Sequence, residues 1–430
     1  MNSEKQSTNL QMILREVNRV GEGQKNVPKL RFKGYEDAWE QRKLGDIADK
    51  VTVKNSNLQY IETFTNSAEV GIISQRDYFD HDIANLSNLD GYYIVQKEDF
   101  VYNPRISTSA PVGPINRNKL GRVGVMSPLY TVFRTHNVDT TYLEYFFKSQ
   151  YWHSFMKFHG DSGARSDRFS IKDAIFFKMP IPLPDIDEQQ KIGDYLNSVD
   201  HLITLHQRKY DALKTMKKTL LSKMFPKDGE DVPEIRFKGF TDAWEQRKLG
   251  EITEKFEYGL NAAATDFDGV NQYLRITDID DETREFNKTS PDTNLDFADN
   301  YILKQGDILF ARTGASVGKT YQYKESDGRV YYAGFLIRAR LLSGFNVGFI
   351  FQNTLTKRYE NFISITSQRS GQPGVNAQEY ASFKLLLPKF EEQEQIADLF
   401  TNLDNLITLH QRKLDELKNI KKTLLQQMFV

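Results

Sequence analysis

The chain of 430 residues contains no cysteine. This absence excludes disulfide bonds, thiolate-ligated zinc, iron–sulfur clusters and cysteine nucleophiles. No stretch approaches the roughly 20 consecutive apolar residues that a membrane helix needs. The polar N-terminal sequence MNSEKQSTNL also lacks the apolar centre of a signal peptide. We therefore expect a soluble, cytoplasmic protein.

A strong excess of charge of one sign is also absent, since 57 Lys and Arg face 58 Asp and Glu. The balance argues against a uniformly basic nucleic-acid binder. Locally the charges are segregated. Residues 101–172 hold ten basic and four acidic residues, residues 304–340 hold seven and three, and residues 263–300 hold ten acidic and three basic. The two basic stretches predict two separate places for a polyanion, with ordinary solvated surface as the alternative for each.

Complete catalytic motifs are missing. The seven histidines show no His-Glu-x-x-His pattern, so we predict no metal site. The segment ARTGASVGKT (311–320) resembles a phosphate-binding loop, but Thr313 takes the place of its first glycine, which leaves a nucleotide-dependent enzyme as an alternative only. In NPRI (103–106), Arg105 and Ile106 replace the proline and aromatic of a methyltransferase loop, and a turn after a strand is the simpler interpretation. We predict no catalytic residues.

Two segments of the chain occur twice. VPKLRFKGYEDAWEQRKLGDIADKV (27–51) returns at 232–256 with 17 of 25 positions identical. The 39 residues from 188 to 226 return at 392–430 with 23 identical positions. The middles between these repeats have nearly equal length but divergent sequence. This indicates two domains of the same fold that differ in polar surface.

The second repeat has apolar residues at spacings of four and three, which predicts one long helix per copy. At 1.5 Å per residue each helix would be about 55 Å long. A helix so apolar needs a partner, and its own copy is the obvious one. His206 and His410 occupy the same position in identical LITLHQRK segments, and we interpret them as packed, partly polar residues that determine the register.

The divergent middles indicate a mixed α/β fold. Short β-rich runs such as DFVY (99–102) and DILFAR (307–312) are separated by turn residues, and TYLEYFFKSQYWHSFMKF (141–158) has a helical pattern. Trp39 and Trp244 are interpreted as anchors that dock the first repeat onto a helix. Residues 1–26 are polar and are predicted to be a flexible arm with a helical turn or two around Leu10–Val20.

Two divergent middles, each opened by RFKG[YF]xDAWEQRKLG[DE]I and closed by EQ…LITLHQRK…KKTLLxxMF, resemble the DNA-specificity subunit of type I restriction–modification systems. The resemblance covers nearly all of the chain beyond residue 26. It implies two target-recognition domains, at 27–186 and 227–390, and two helices, at 187–226 and 391–430, that pack antiparallel about a pseudo-two-fold axis. His206 should then contact His410.

The resemblance also implies function. Each domain would read one half of a split, asymmetric double-stranded DNA sequence, and the helices would set the spacing between the halves. Two modification (methyltransferase) subunits would dock on the helices and bind S-adenosylmethionine, no cofactor being expected on this chain, and restriction subunits would join for cleavage. The alternative from the repeats alone is an assembly scaffold that does not bind DNA.

Basic and polar residues of predicted loops are the candidates for DNA contacts, because Lys and Arg neutralise phosphates and Arg, Asn, Gln, Ser and Thr read base edges. In the first domain they are Arg76, Asn103, Arg105, Ser107, Thr108, Arg165, Ser166 and Arg168. In the second they are Arg275, Arg312, Thr313, Ser316, Lys319, Gln368, Arg369, Gln372 and Asn376.

The predicted interface of the helix pair consists of the residues at its apolar seam. On the central helix these are Leu196, Val199, Ile203, His206, Leu213 and Leu220. On the C-terminal helix they are Phe400, Leu403, Ile407, His410, Leu417 and Leu424.

Overall fold

The computed structural model describes residues 17–19, 26–80, 86–162, 167–281, 290–292, 299–368 and 371–430. The contacts within the chain divide it into two compact units. The first consists of Met1–Thr204 with Asp415–Val430, and the second of Leu205–Leu414. The division runs through both long helices, so each unit combines one recognition domain with half of each helix.

In the described residues, twelve short strands and four short α-helices precede the first long helix. The strands are β1 (Val17–Arg19), β2 (Leu30–Phe32), β3 (Glu40–Lys43), β4 (Ala48–Lys50), β5 (Phe64–Ser67), β6 (Gly71–Ser74), β7 (Tyr93–Val95), β8 (Phe100–Tyr102), β9 (Ile115–Arg117), β10 (Gly124–Met126), β11 (Thr131–Thr135) and β12 (Pro180–Leu183). The helices are α1 (Gln75–Phe79), α2 (Thr140–Lys148), α3 (His153–His159), α4 (Asp173–Phe176) and the long α5 (Ile186–Lys223).

The centre of the first unit is an antiparallel sheet with the order β4-β11-β8-β9. Phe100 and Phe133 are opposed in the β8–β11 register and their rings stack at 5.4 Å, which stabilises the pair beyond simple burial. Trp39 is 3 % exposed and packs edge-on against Tyr142 of α2, which confirms its interpretation as an anchor. The β3 strand of the first repeat pairs with β12, so the two ends of the domain meet.

The second unit repeats this plan. Its strands are β13 (Glu245–Lys248), β14 (Thr253–Tyr258), β15 (Ala263–Thr265), β16 (Asn271–Leu274), β17 (Ser290–Asp292), β18 (Asp307–Ala311), β19 (Thr320–Gln322), β20 (Arg329–Tyr332), β21 (Leu336–Leu341) and β22 (Lys384–Leu387). Its short helices are α6 (Val347–Asn353), α7 (Lys357–Thr366) and α8 (Ala377–Ala381), and the long α9 (Phe390–Gln427) begins in this unit. The antiparallel sheet β14-β21-β18-β19 is its centre, and β13 pairs with β22.

The long helices α5 and α9 pack antiparallel. In the first unit Asp200 accepts from Lys421 at 2.5 Å, and in the second unit Lys217 donates to Asp404 at 2.5 Å. Asp200 and Asp404 occupy equivalent positions of the repeat, as do Lys217 and Lys421, so the same ion pair forms once in each unit. In the second unit the Nδ1 atoms of His206 and His410 lie 2.8 Å apart, which confirms the predicted contact.

Seam residues of the helix pair belong to the cores of the units. Leu196, Val199 and Leu424 are buried with Trp39 and Phe133 in the core of the first unit. Phe400 and Leu403 are buried in the second, where Leu213 and Leu220 pack against them. Ile203 packs against the first core, and Ile407 and Leu417 are 6 % and 2 % exposed. The same apolar face of each long helix thus packs against the other helix and against the core of the recognition domain.

One local prediction is wrong. Residues 17–19, predicted within helical turns, form strand β1 paired with β2; the rest of the predicted arm up to residue 25 lies outside the described residues. The helical pattern at 141–158 corresponds to two helices, because Ser149 ends α2, where its backbone N–H donates to the carbonyls of Tyr145 and Phe146. No helix in the described part of the chain is long and apolar enough to cross a membrane.

Candidate nucleic-acid interface

In the first unit, the loop that follows strand β8 lies beside the segment 167–169. Arg105 and Arg168 face each other in an isolated antiparallel bridge. Ile106 N donates to Asp167 O at 2.9 Å, and Phe169 N donates to Pro104 O at 2.7 Å. The two segments singled out in the sequence are therefore held together by backbone hydrogen bonds, with both arginine side chains exposed.

The side chain of Asn103 holds the loop after β8 in place through hydrogen bonds. Its Nδ2 donates to the carbonyl of Asn66 at 2.7 Å, and its Oδ1 accepts from Arg105 N at 3.0 Å. Asn66 is 1 % exposed, and its own amide joins the carbonyl of Val101 and the amide of Asn116. Because its polar groups are occupied in this way, Asn103 acts as a positioning residue for Arg105 in this structure.

Five of the ten basic side chains counted in residues 101–172 are paired with acidic side chains. Arg117 binds Glu144 and Glu98, Arg122 binds Glu62, and Arg134 makes a bidentate pair with Asp99. The hydrogen bonds that Arg134 donates to Asp99 raise the pKa of Arg134. Lys119 and Lys148 also reach Glu144. A local excess of positive charge in a sequence therefore overstates the charge available to a polyanion.

The basic side chains left over lie near the paired loops or on the helix before them. Within the described part of the chain, four residues of this stretch make no ion pair: Arg105, Lys157, Arg168 and Lys172. Of the other candidates, Arg76 is exposed on α1, and Ser107 and Thr108 are exposed in the 103–110 loop. Arg165 and Ser166 lie outside the described residues.

The equivalent loops of the second unit are 312–319, after β18, and 371–377. Gly314 N donates to Pro373 O at 3.2 Å, and Val375 N donates to Arg312 O at 2.9 Å. The 312–319 loop connects strand β18 to strand β19. A phosphate-binding loop leads from a strand into a helix whose N-terminus faces the phosphates, so this context argues against nucleotide binding here.

Arg312 is held by an aromatic ring. Its guanidinium carbon lies 5.1 Å from the centre of the Tyr258 ring, a cation–π contact, and it makes no ion pair among the described residues. Its backbone N–H donates to Phe335 O at 3.0 Å. The arginine is thus oriented without being neutralised, which suits a side chain that binds an anion or a base edge.

Two other predicted contacts of this unit are occupied. Arg275 makes a bidentate pair with Asp278 at 2.7 Å, and these hydrogen bonds raise its pKa. Lys319 is 9 % exposed, pairs with Asp281 at 2.7 Å and donates to the carbonyl of Ile279. Both side chains stabilise the 275–281 segment in this structure.

The remaining candidates of the second unit surround the paired loops. Thr313 forms an isolated bridge with Gly374, Ser316 is half-buried, and Gln368 and Gln372 are exposed. The side chain of Asn376 caps α8 by accepting from Glu379 N at 2.9 Å. Arg369 lies outside the described residues. Our selection from the sequence omitted Tyr258, whose proximity to Arg312 depends on the β14–β21–β18 pairing and leaves no local signal.

Comparison with known proteins identifies the family. The family model described as "Type I restriction modification DNA specificity domain" matches twice, at residues 36–215 and 241–419. A similar relative is the type I restriction enzyme MjaVIII specificity subunit of Methanocaldococcus jannaschii. It is 24% identical over 322 residues, which cover 71% of this chain and 73% of the relative.

A solved structure agrees on the fold. The crystal structure of a type I restriction–modification system S subunit from M. genitalium has a TM-score of 0.59 with this chain at 15% identity, over 94% of this chain and 99% of that one. The repeated domains, the packed repeat helices and the double family match lead to one conclusion: this chain belongs to the DNA-specificity subunit family of type I restriction–modification systems.

Proposed function

We propose that each unit of this chain reads one half of a bipartite, asymmetric DNA target. The observation that carries the proposal is the difference between equivalent loops on equivalent frameworks. After β8 the loop presents Arg105 beside Arg168, whereas after β18 it presents Arg312 beside small and amide side chains. Because the bases read depend on which side chains reach the groove, different loops would select different half-sites.

The long helices would set the spacing between half-sites and dock two modification subunits. Support comes from apolar side chains that the described contacts leave exposed on the helices of the second unit: Met216, Leu406 and Leu409 are 50 %, 43 % and 48 % exposed. The modification subunits would bind S-adenosylmethionine and restriction subunits would join for cleavage, in the cytoplasm where the DNA is. This chain would then supply specificity and no catalytic group.

Binding of the complex with its modification subunits to DNA tests the first part. The target is found by mapping methylated sites in cells that carry the chain, and each half-site is then scrambled in turn. We expect each scrambled half to lower affinity, and substitutions in one unit to affect one half only. Equal affinity for target and fully scrambled DNA would instead support an assembly scaffold that does not read sequence.

A paired insertion tests the second part. Four helical residues are inserted after His206 in α5 and four after His410 in α9, which keeps the Asp200–Lys421 and Lys217–Asp404 contacts on either side. Each helix grows by about 6 Å at 1.5 Å per residue, and DNA advances about 3.4 Å per base pair. The preferred gap should grow by one or two base pairs with unchanged half-sites. An unchanged gap at full activity would contradict the proposal.

A further inference from the structure

The turn between β20 and β21 carries an exposed aromatic side chain. Phe335 is 60 % exposed, although it lies between the buried residues Ala333 and Leu336. The turn is tightly held: Gly334 N donates to Leu260 O at 2.8 Å, and Leu336 N donates to Ala333 O at 2.8 Å. Phe335 therefore projects from a fixed backbone, because the hydrogen bonds on both sides of it restrain the turn.

This turn adjoins the loop of Arg312. The carbonyl of Phe335 accepts from Arg312 N, and the Arg312 guanidinium lies over the ring of Tyr258, which is 43 % exposed at the end of β14. The strand ends meet closely here. A Cβ on Gly259 would lie 2.2 Å from the Ala333 carbonyl oxygen, so only glycine allows this approach. A cation without a carboxylate partner and two exposed rings thus share one rigid surface.

The first unit has an equivalent turn. Phe133 pairs with Phe100 in the first sheet as Ala339 pairs with Ile308 in the second, so Phe133 and Ala339 occupy equivalent positions. Leu129 lies four residues before Phe133, and Phe335 lies four residues before Ala339, so these two residues are equivalent as well. Leu129 is 59 % exposed. Both units therefore present a large apolar side chain at this position while its identity changes. Burial of apolar groups in the cores does not explain the repeat, because in each unit the side chain points out of its core.

We propose that Phe335 is a specificity-determining residue that contacts the methyl group of a thymine next to the base read by Arg312, with Tyr258 as the positioning residue of that arginine. The inference rests on the proposed DNA-reading function. In the major groove thymine is distinguished by its C5 methyl, and phenylalanine is among the side chains that contact it, while arginine pairs with guanine. The adjacent cation favours DNA over an apolar protein partner as the occupant.

The test compares thymine with uracil, which lacks the methyl group. Each thymine of the mapped target is replaced in turn, and binding of the complex with its modification subunits is measured. For the native chain we expect one replacement in the half-site read by the second unit to weaken binding by about fourfold, the value of one buried methyl group. Phe335→Ala should weaken binding to the thymine target by a similar factor and be insensitive to that same replacement.

Val270→Ala is the matched control. Val270 is 65 % exposed and precedes β16, which runs parallel to β20, so it lies at the opposite end of that strand pair from Phe335. This variant should keep the native response to uracil. Relative to the native chain, Phe335→Ala should weaken binding to the thymine target only. If it weakens binding to the thymine and uracil targets by the same factor, or leaves both unchanged, the methyl contact is overturned. Loss of complex assembly instead would identify a protein-docking residue.

Tyr258 is tested by the same measurement at the position read by Arg312. Tyr258→Leu removes the ring face and should reduce discrimination at that base by roughly two- to fivefold. Tyr258→Phe keeps the face and should retain discrimination. Equal losses in both variants would overturn the positioning role. If the native complex shows no preference for its mapped target, the proposed function itself fails, an outcome distinct from any of those above.

Discussion

Some of the internal ion pairs recur in both units, whereas the loops of the two units differ. Arg31 binds Glu188 in the first unit as Arg236 binds Glu392 in the second, each with two bonds of 2.7 to 2.8 Å. Arg134–Asp99 and Arg340–Asp307 form another equivalent bidentate set. The loops after β8 and β18 have no such correspondence. Recurring pairs hold the framework that both units share, whereas Arg105 and Arg312, which make no ion pair among the described residues, are available for recognition.

The largest effect should come from breaking a recurring pair. The side chains of Arg31 and Glu188 are 4% and 1% exposed, so Arg31→Met leaves a buried carboxylate without its partner. We expect a loss of about 3–5 kcal/mol in the free energy of unfolding, measured by urea denaturation. Arg236→Met should cost less because Arg236 is 12% exposed. A loss below about 1 kcal/mol, the range typical of solvent-exposed ion pairs, would mean that these pairs do not hold the framework.

A second substitution separates framework charge from recognition charge within one loop. Lys319→Met removes the buried ammonium group that binds Asp281 and the Ile279 carbonyl. Hydrogen bonds to charged groups contribute about 1.5–3 kcal/mol, so we expect a stability loss of this size. The salt dependence of DNA binding by the complex should stay the same. A shallower salt dependence at unchanged stability would show that Lys319 binds a phosphate.

Arg312→Ala should have the opposite signature. The Arg312 guanidinium has no carboxylate partner among the described residues, so the free energy of unfolding should change little. Discrimination at the half-site read by the second unit should fall by about 1–3 kcal/mol if a bidentate base contact is lost. Arg105→Ala should do the same for the other half-site. Binding to DNA with each half scrambled checks both; equal losses at both halves for one variant would mean that the units do not read independently.

The smallest effect concerns the histidine pair of the second unit. A hydrogen bond between two Nδ1 atoms requires one donor and one acceptor, so at most one of these nitrogens carries a proton. Burial lowers the pKa of both residues, and for His206 the charges of His410, Lys209 and Lys413 lower it further. The unfolded chain then binds more protons than the folded one below the usual pKa of about 6.5.

Stability should accordingly be complete above about pH 6.5 and should fall as the pH drops below it. Urea denaturation between pH 5 and 8 measures this. The double variant His206→Gln, His410→Gln should show a weaker dependence in that window. A slope equal to that of the native chain would assign the dependence to other groups, such as His153, whose pKa is also lowered by burial.

Repetition in the sequence was sufficient to predict the plan of the molecule. The runs DFVY and DILFAR became β8 and β18, and the two copied blocks became α5 and α9. His206 lies close to His410, as predicted from antiparallel packing of the two copies about a pseudo-two-fold axis. Hydrophobic periodicity and internal repeats are local properties of a chain, so the sequence alone determines them.

Tertiary structure decided which charges are free. From the sequence Arg105, Arg275, Arg312 and Lys319 were equivalent candidates, yet Arg275 and Lys319 are paired with Asp278 and Asp281, whereas Arg312 lies on the Tyr258 ring. Arg134 and Arg340 raised the local charge count but bind acidic residues more than 30 positions away in the sequence. The field at a surface depends on distances between side chains, and strand pairing, which brings distant segments together, sets those distances.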